Sequence, residues 1–254
     1  MKSSQHPNLF SIFIAIVLLG SGQYVHAQQK NNTVKITPGN DSFHIKSASF
    51  LLPQALPKWH YYHSISLSYV VVPREWTLDD INAPMLVYSG KFSLPFGFNM
   101  QASLATLGIS NKFNFGPFWN YSIKNYHFGI GYQFAFDFGY LGSFGYQTKF
   151  TGWEQQPSIL AGYSFKQSAL TLRCDLYYTN SIDFIEGGHS FPIWNSFMNG
   201  YGINASYEQR LYKNKVMFFG IKLNHIRYHI IAWPAFPVNQ YRYYVPEFQL
   251  GFNF

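Results

Sequence analysis

The chain has 254 residues, of which 20% are aromatic and only 11% are Asp, Glu, Lys or Arg, and its mean hydropathy is −0.10. A bundle of membrane helices needs apolar runs of about 20 residues and a clearly positive hydropathy, and an ordinary soluble domain carries about 25% charged residues, so neither class fits. The formal net charge of +7 comes from Lys and Arg scattered along the chain, without the clustering of a nucleic-acid-binding surface, and the single cysteine, Cys174, excludes an intramolecular disulfide or a multi-cysteine metal site.

The first 27 residues read as an address. Lys2 is followed by the apolar run Leu9 to Leu19 and by Val25-His26-Ala27, the three-part form of a secretory signal, with cleavage expected between Ala27 and Gln28. The apolar run is too short for a comfortable membrane span, and no cysteine lies near the cleavage site for a lipid anchor. Residues 28–58 are polar, with a turn at Pro38-Gly39-Asn40-Asp41 and breakers at Pro53 and Pro57. This stretch is expected to be a periplasmic arm, a lid or plug, or an extra strand.

From Tyr61 onward the chain alternates. Tyr61 to Val72, Met85 to Leu94, Phe98 to Ile109 and Lys112 to Ile123 each set one apolar flank against a small or polar one. The pattern is sharpest in Tyr126 to Gly139. There Phe128, Ile130, Tyr132, Phe134, Phe136 and Phe138 share one side, and His127, Gly129, Gly131, Gln133, Ala135, Asp137 and Gly139 the other. A period of two means a strand between two environments, and a membrane barrel gives its greasy flank to lipid and its polar flank to the lumen.

Leu141 to Gln156 reads as a long loop, Ser158 to Phe165 and Ala169 to Thr179 as strands, and Asp183 to Phe197 as another loop. Asn199 to Leu211, Val216 to Trp233 and Arg242 to Phe254 complete the set. Short and long connections alternate, and an apolar band of about 25 Å needs about ten residues of tilted strand. The expected fold is an all-β, antiparallel up-and-down transmembrane β-barrel of about ten strands over residues 59–254, with eight or twelve left open by the loop Leu141 to Gln156.

The carboxyl end is the most specific segment. Phe248, Leu250, Phe252 and Phe254 alternate with Gln249, Gly251 and Asn253, and the chain stops on the aromatic Phe254. In this the sequence resembles bacterial outer-membrane β-barrel proteins, and its heavy Phe, Tyr and Asn usage is similar to those of the Bacteroidetes. The resemblance implies a bacterial outer-membrane location, outer-membrane lipids around the barrel, and reading of these four residues by the barrel-assembly machinery.

One register per strand places Lys91, Asp137, Arg173 and Asp175 in the lumen, together with Glu208, Arg210, Lys222 and Glu247. Equal numbers of each sign suit a paired network filling a narrow lumen. The same residues would suit the selectivity lining of a small pore, or a catalytic site. Glu247 and Lys222 are placed to pair directly, and Arg173 and Asp175 form a second cluster. No nucleophile, base and acid stand at a recognisable spacing. The candidates for rim chemistry or metal binding are His189 with Glu186 and Asp183 in one loop, and His225 and His229 near the top of an ascending strand. Trp76, Trp119, Trp153, Trp194 and Trp233 fall near strand ends, as an interfacial girdle would, and Cys174 falls on the outer register as a small filler.

The expectation is therefore a non-enzymatic outer-membrane barrel, structural or a narrow conduit for a small solute. It needs no cofactor, metal or nucleic acid. The alternatives are a hydrolase acting on lipid or peptide at the outer rim, and a surface-binding protein using its long loops.

Overall fold

The computed structural model describes residues 45, 48–77, 81–142, 147–186, 189–212, 215–233 and 240–254, all within one compact unit, Phe43–Phe254. The expected leader and most of the polar stretch that follows it lie outside the described residues. Ten strands form the ring: β1 Tyr61–Val71, β2 Asn82–Ser93, β3 Phe98–Thr106, β4 Ser110–Ile123 and β5 Tyr126–Leu141, then β6 Thr148–Ser164, β7 Ser168–Glu186, β8 His189–Tyr212, β9 Lys215–Ile226 and β10 Tyr243–Asn253. Each pairs antiparallel with its sequence neighbours, and β10 pairs with β1 from Ser64↔Asn253 to Val70↔Glu247, which closes the barrel. Closure leaves no unpaired edge in the ring, the condition for a sheet to stand in hydrocarbon.

The alternation sorts the side chains as the pattern requires. On β5, Phe128, Ile130 and Phe134 are about half exposed on the outer wall, whereas His127, Gln133, Ala135 and Asp137 are buried inside. A row of apolar side chains, Ile130, Ile159, Cys174 and Ile203, crosses β5 to β8 at one level of the outer wall. Phe248, Leu250, Phe252 and Phe254 stand on the same wall at the closing strand. Trp119 and Trp153 are also outward, but Trp76 is buried inside the barrel and Trp233 packs against the same interior cluster, so neither belongs to a lipid-facing girdle.

One end of the ring carries the tight turns. At Pro95–Gly97, Gly97 has a φ of +80°, and a Cβ there would strike the Asn120 carbonyl, so only glycine makes this corner. The opposite, loop end departs from the sequence reading in three places. The expected loop Leu141 to Gln156 is mostly ladder: β5 runs to Leu141 and β6 starts at Thr148, so no extra strand pair hides there. The expected loop Asp183 to Phe197 is a continuation of the β7–β8 hairpin. The expected long strand to Trp233 ends instead at Ile226, where Arg227 N–H bonds to the Asn199 carbonyl and the chain turns inward.

A bulge explains much of the middle case. Thr179 faces Glu154 while Ser181 faces Trp153, so Asn180 is an extra residue on β7. One extra residue reverses the in–out phase. Ile182 and Phe184 beyond it are consequently buried inside, and Asp183 is exposed.

Candidate functional site

The interior has three storeys, beginning at the turn end with residue 45 and residues 48–57. Ile45, Ser49, Leu52 and Gln54 are buried there. Glu208, on the inward register of β8 and fully buried, holds the segment. Its carboxylate accepts from Ser49 Oγ, from the backbone N–H of Phe50 (2.9 Å), Leu51 (3.2 Å) and Leu52 (3.1 Å), and from Asn253 Nδ2 (2.8 Å). Three successive amides converging on one carboxylate form an anion-binding nest, and bonds to a charged acceptor are the strong ones. Lys91 Nζ donates to the Phe50 carbonyl, Asn120 Nδ2 to that of Gln54 (3.1 Å) and Ser93 Oγ to that of Pro57. The wall makes room for the segment: a Cβ on Gly162 would lie 2.5 Å from Leu52 Cδ1, and one on Gly129 would lie 2.9 Å from Pro53.

Above this segment lies a polar chamber of about 230 Å³. Lys112 pairs with Glu154 and stands 3.6 Å from Asp137. Arg173 Nε bonds Asp175 at 2.7 Å, and its Nη2 donates to Gln133 (2.8 Å) and Ser158 Oγ (3.1 Å). Ser158 Oγ in turn donates to Asp175 at 2.6 Å. Lys222 and Glu247 face each other in register across β9 and β10. They do not close to an ion pair within 4 Å: Glu247 accepts from Ser68 Oγ at 2.5 Å, while the Lys222 ammonium lies over the Tyr177 ring at 5.4 Å.

The third storey is the inward-turned stretch 227–233 that follows β9. Tyr228 O–H donates to Glu154 Oε1 (2.5 Å), Asn199 Oδ1 accepts from Arg227 N–H and Tyr228 N–H, and Ser110 Oγ donates to the Ile231 carbonyl (2.6 Å). Ile230, Ile231 and Ala232 are buried with Val72, Trp76 and Phe150 in an apolar cluster inside the loop end. His229 Nδ1 accepts from Ala232 N–H at 3.3 Å. Burial pulls the His229 imidazole down to about 4, despite the carboxylates of Glu247 and Glu154 nearby.

The structure thus brings Arg173 and Asp175 together. It sets Lys91 and Glu208 on the turn-end segment, Asp137 beside Lys112, and Arg210 half-buried on the inward register of β8 near the turn end. Two members of the chamber were absent from the sequence reading. Lys112 is in phase with Asn114 and Asn120, so the β4 alternation carried its signal. Glu154 was hidden because its stretch read as loop, although Phe150, Gly152, Glu154 and Gln156 alternate inward.

The histidines do not converge. His189 is exposed beside the hairpin tip opposite Glu186 in the ladder, and His225 is on the outer wall, stacked on Tyr244 at 4.6 Å; His229 is in the inward turn. Among the described residues no three His, Cys, Asp or Glu side chains are grouped to hold a metal.

A closed antiparallel ring with an apolar outer wall and a charged, hydrogen-bonded interior is a transmembrane β-barrel of the outer-membrane type. No family model matches the chain, and no curated protein matches it. Solved structures similar to it include Neisserial surface protein A (14% identity over 76% of this chain and 95% of that one, TM-score 0.38). Others are the translocator domain of the autotransporter NalP from Neisseria meningitidis (11%, 97% and 98%, 0.36) and an outer membrane channel from Pseudomonas putida F1 (5%, 79% and 97%, 0.38). At such distances these likenesses carry nothing about function.

Proposed function

We propose that the protein is a non-enzymatic barrel of the bacterial outer membrane that serves as a narrow conduit for a small solute and is closed at rest by its own chain. The turn end then faces the periplasm and the loop end the exterior. The observation that carries the reading is the Glu208 carboxylate, fully buried and bonded to Ser49 Oγ and three consecutive amides of residues 50–52. A merely structural barrel needs only to fill its lumen, which apolar side chains do without the cost of burying charge. Here a separate segment occupies one end, a turned-in loop the other, and a polar chamber lies between them.

Planar-bilayer recordings test this. The intact mature chain is expected to give no lasting current steps, and a variant lacking residues 45–57 to give small, discrete ones. A stable open current from the intact chain would refute closure by the chain itself. A folded deletion variant with no current would refute the conduit.

A further inference from the structure

The two ends of the barrel differ in charge. At the loop end exposed residues of both signs occur, Arg74 and Lys149 with Glu75 and Asp183. At the turn end the exposed charged side chains among the described residues are all cationic: Lys58, Lys124, Lys166 and Lys215. Arg210 is half-buried at the same end. The side-chain carboxylate at that level, Glu208, is held inside by the amides of residues 50–52.

Three of these lysines lie below one part of the outer wall. Lys124 is in the β4–β5 turn, Lys166 in the β6–β7 turn and Lys215 at the start of β9. Above them the wall rises in two rows of outward residues, each in register across β5 to β9. The lower row is Tyr126, Tyr163, Leu170, Tyr207 and Phe219, in which the Tyr126 and Tyr163 rings meet at 4.9 Å. The upper row is Phe128, Ala161, Leu172, Ala205 and Ile221. Its two alanines, set between larger neighbours, open a groove of about 500 Å³ on the turn side of the row Ile130, Ile159, Cys174 and Ile203.

Tyrosines gather where headgroups meet hydrocarbon, so the groove runs from that boundary into the apolar layer, with the lysines at headgroup depth. A gap in a lipid-facing wall forfeits dispersion contacts until a flexible chain fills it. Basic side chains at its mouth then select the sign of the headgroup. A second copy of the barrel on this face would set like charges against one another.

We infer that this face of the barrel holds one anionic phospholipid, with an acyl chain in the groove over Ala161 and Ala205 and its phosphate among Lys124, Lys166 and Lys215. The inference takes from the proposed function only that the turn end faces the periplasm, which makes the ligand a lipid of the inner leaflet. It does not depend on whether the lumen conducts.

The experiment is native mass spectrometry of the detergent-solubilised full chain with three probes: phosphatidylglycerol, phosphatidylcholine with the same acyl chains, and glycerol phosphate. One phosphatidylglycerol per barrel is expected to survive release from the micelle, favoured over phosphatidylcholine at least about tenfold. Glycerol phosphate, which has the charge without the chains, is expected not to displace it. Lys166→Gln and Lys215→Gln are each expected to weaken phosphatidylglycerol binding about fivefold, the worth of one lysine near an anionic surface, while Lys149→Gln at the loop end leaves it unchanged. Ala205→Phe fills the groove and is expected to abolish retention of the lipid. Heat-dependent gel migration reports whether each barrel has folded, and if Ala205→Phe does not fold, Ala161→Leu carries the same reading. Equal retention of the two phospholipids, a preference that survives loss of both lysines, or displacement by glycerol phosphate would each overturn the inference. So would lipid binding untouched by the alanine substitutions, or a dimer that Ala205→Phe abolishes. If phosphatidylglycerol binds while the deletion variant passes no current, the conduit fails and the lipid site stands.

Discussion

Glu208 and His229 set the two ends at the scale of single residues. Replacing Glu208 by Gln keeps the shape of the side chain but removes its charge and turns an amino group toward donors, leaving some of the amides at Phe50, Leu51 and Leu52 unmet. The expected cost to docking of residues 48–57 is about 2–3 kcal/mol, read as new chymotryptic cleavage at Phe50 or Leu51 in a barrel that is otherwise intact. His229 works in the opposite sense to an ion-paired histidine. Its folded value of about 4 lies below the ordinary 6.5, so the undocked turn binds a proton more readily. The stability of the inward turn is therefore fully present above about pH 6.5 and is lost as pH falls toward 4. Hydrogen exchange at residues 228–232 is expected to accelerate across that window, and His229→Leu to abolish the change. Acceleration that persists in the variant would assign it to the facing groups Glu154, Glu247, Lys112 and Lys222 instead.

Among elements, β5 and β6 matter for what they omit. Gly129 and Gly162 leave the wall bare where Pro53 and Leu52 seat, and Gly131 leaves it bare beneath Phe118, an aromatic that faces inward against the trend of its strand. Gly162→Val puts branched carbon atoms where Leu52 Cδ1 sits. It is expected to expel the turn-end segment without opening the ladder, giving strand content unchanged by circular dichroism alongside the chymotryptic cleavage expected of Glu208→Gln. The bulge at Asn180 is the second such device. It reverses the phase of β7, so that the hairpin above it turns Ile182 and Phe184 toward the inward loop and builds the apolar cluster.

For the whole molecule, stability depends on the outer wall staying apolar. The row Ile130, Ile159, Cys174 and Ile203 offers no polar neighbour to a charge. Ile159→Arg is expected to lower stability in lipid vesicles by about 2–4 kcal/mol at mid-bilayer depth, measured by urea unfolding. An effect near zero would place this row at the interface rather than in hydrocarbon. The same wall explains the flat hydropathy of the chain: a barrel buries its polar half, so each greasy residue is matched by a polar one beside it.

The barrel itself was legible in the sequence because each strand carries its own period-two record, and facing inward or outward is a local property. Ten strands, the outward Phe flank of β5 and the inward Arg173, Asp175 and Glu208 follow from counting by twos. Which charges meet was not legible. Lys222 and Glu247 are perfectly in register yet stay apart, whereas Lys112 reaches across β5 to Glu154, because chamber width and bulge positions decide contacts between strands. Nor does any local pattern settle that residues 48–57 and 228–232 enter the lumen: the first stretch reads equally as arm, lid, plug or strand, and the second as the end of a long strand. Their places depend on Glu208, Asn199, Ser110 and the bare glycine walls, groups distant in the chain that act on one another only once the ring has closed.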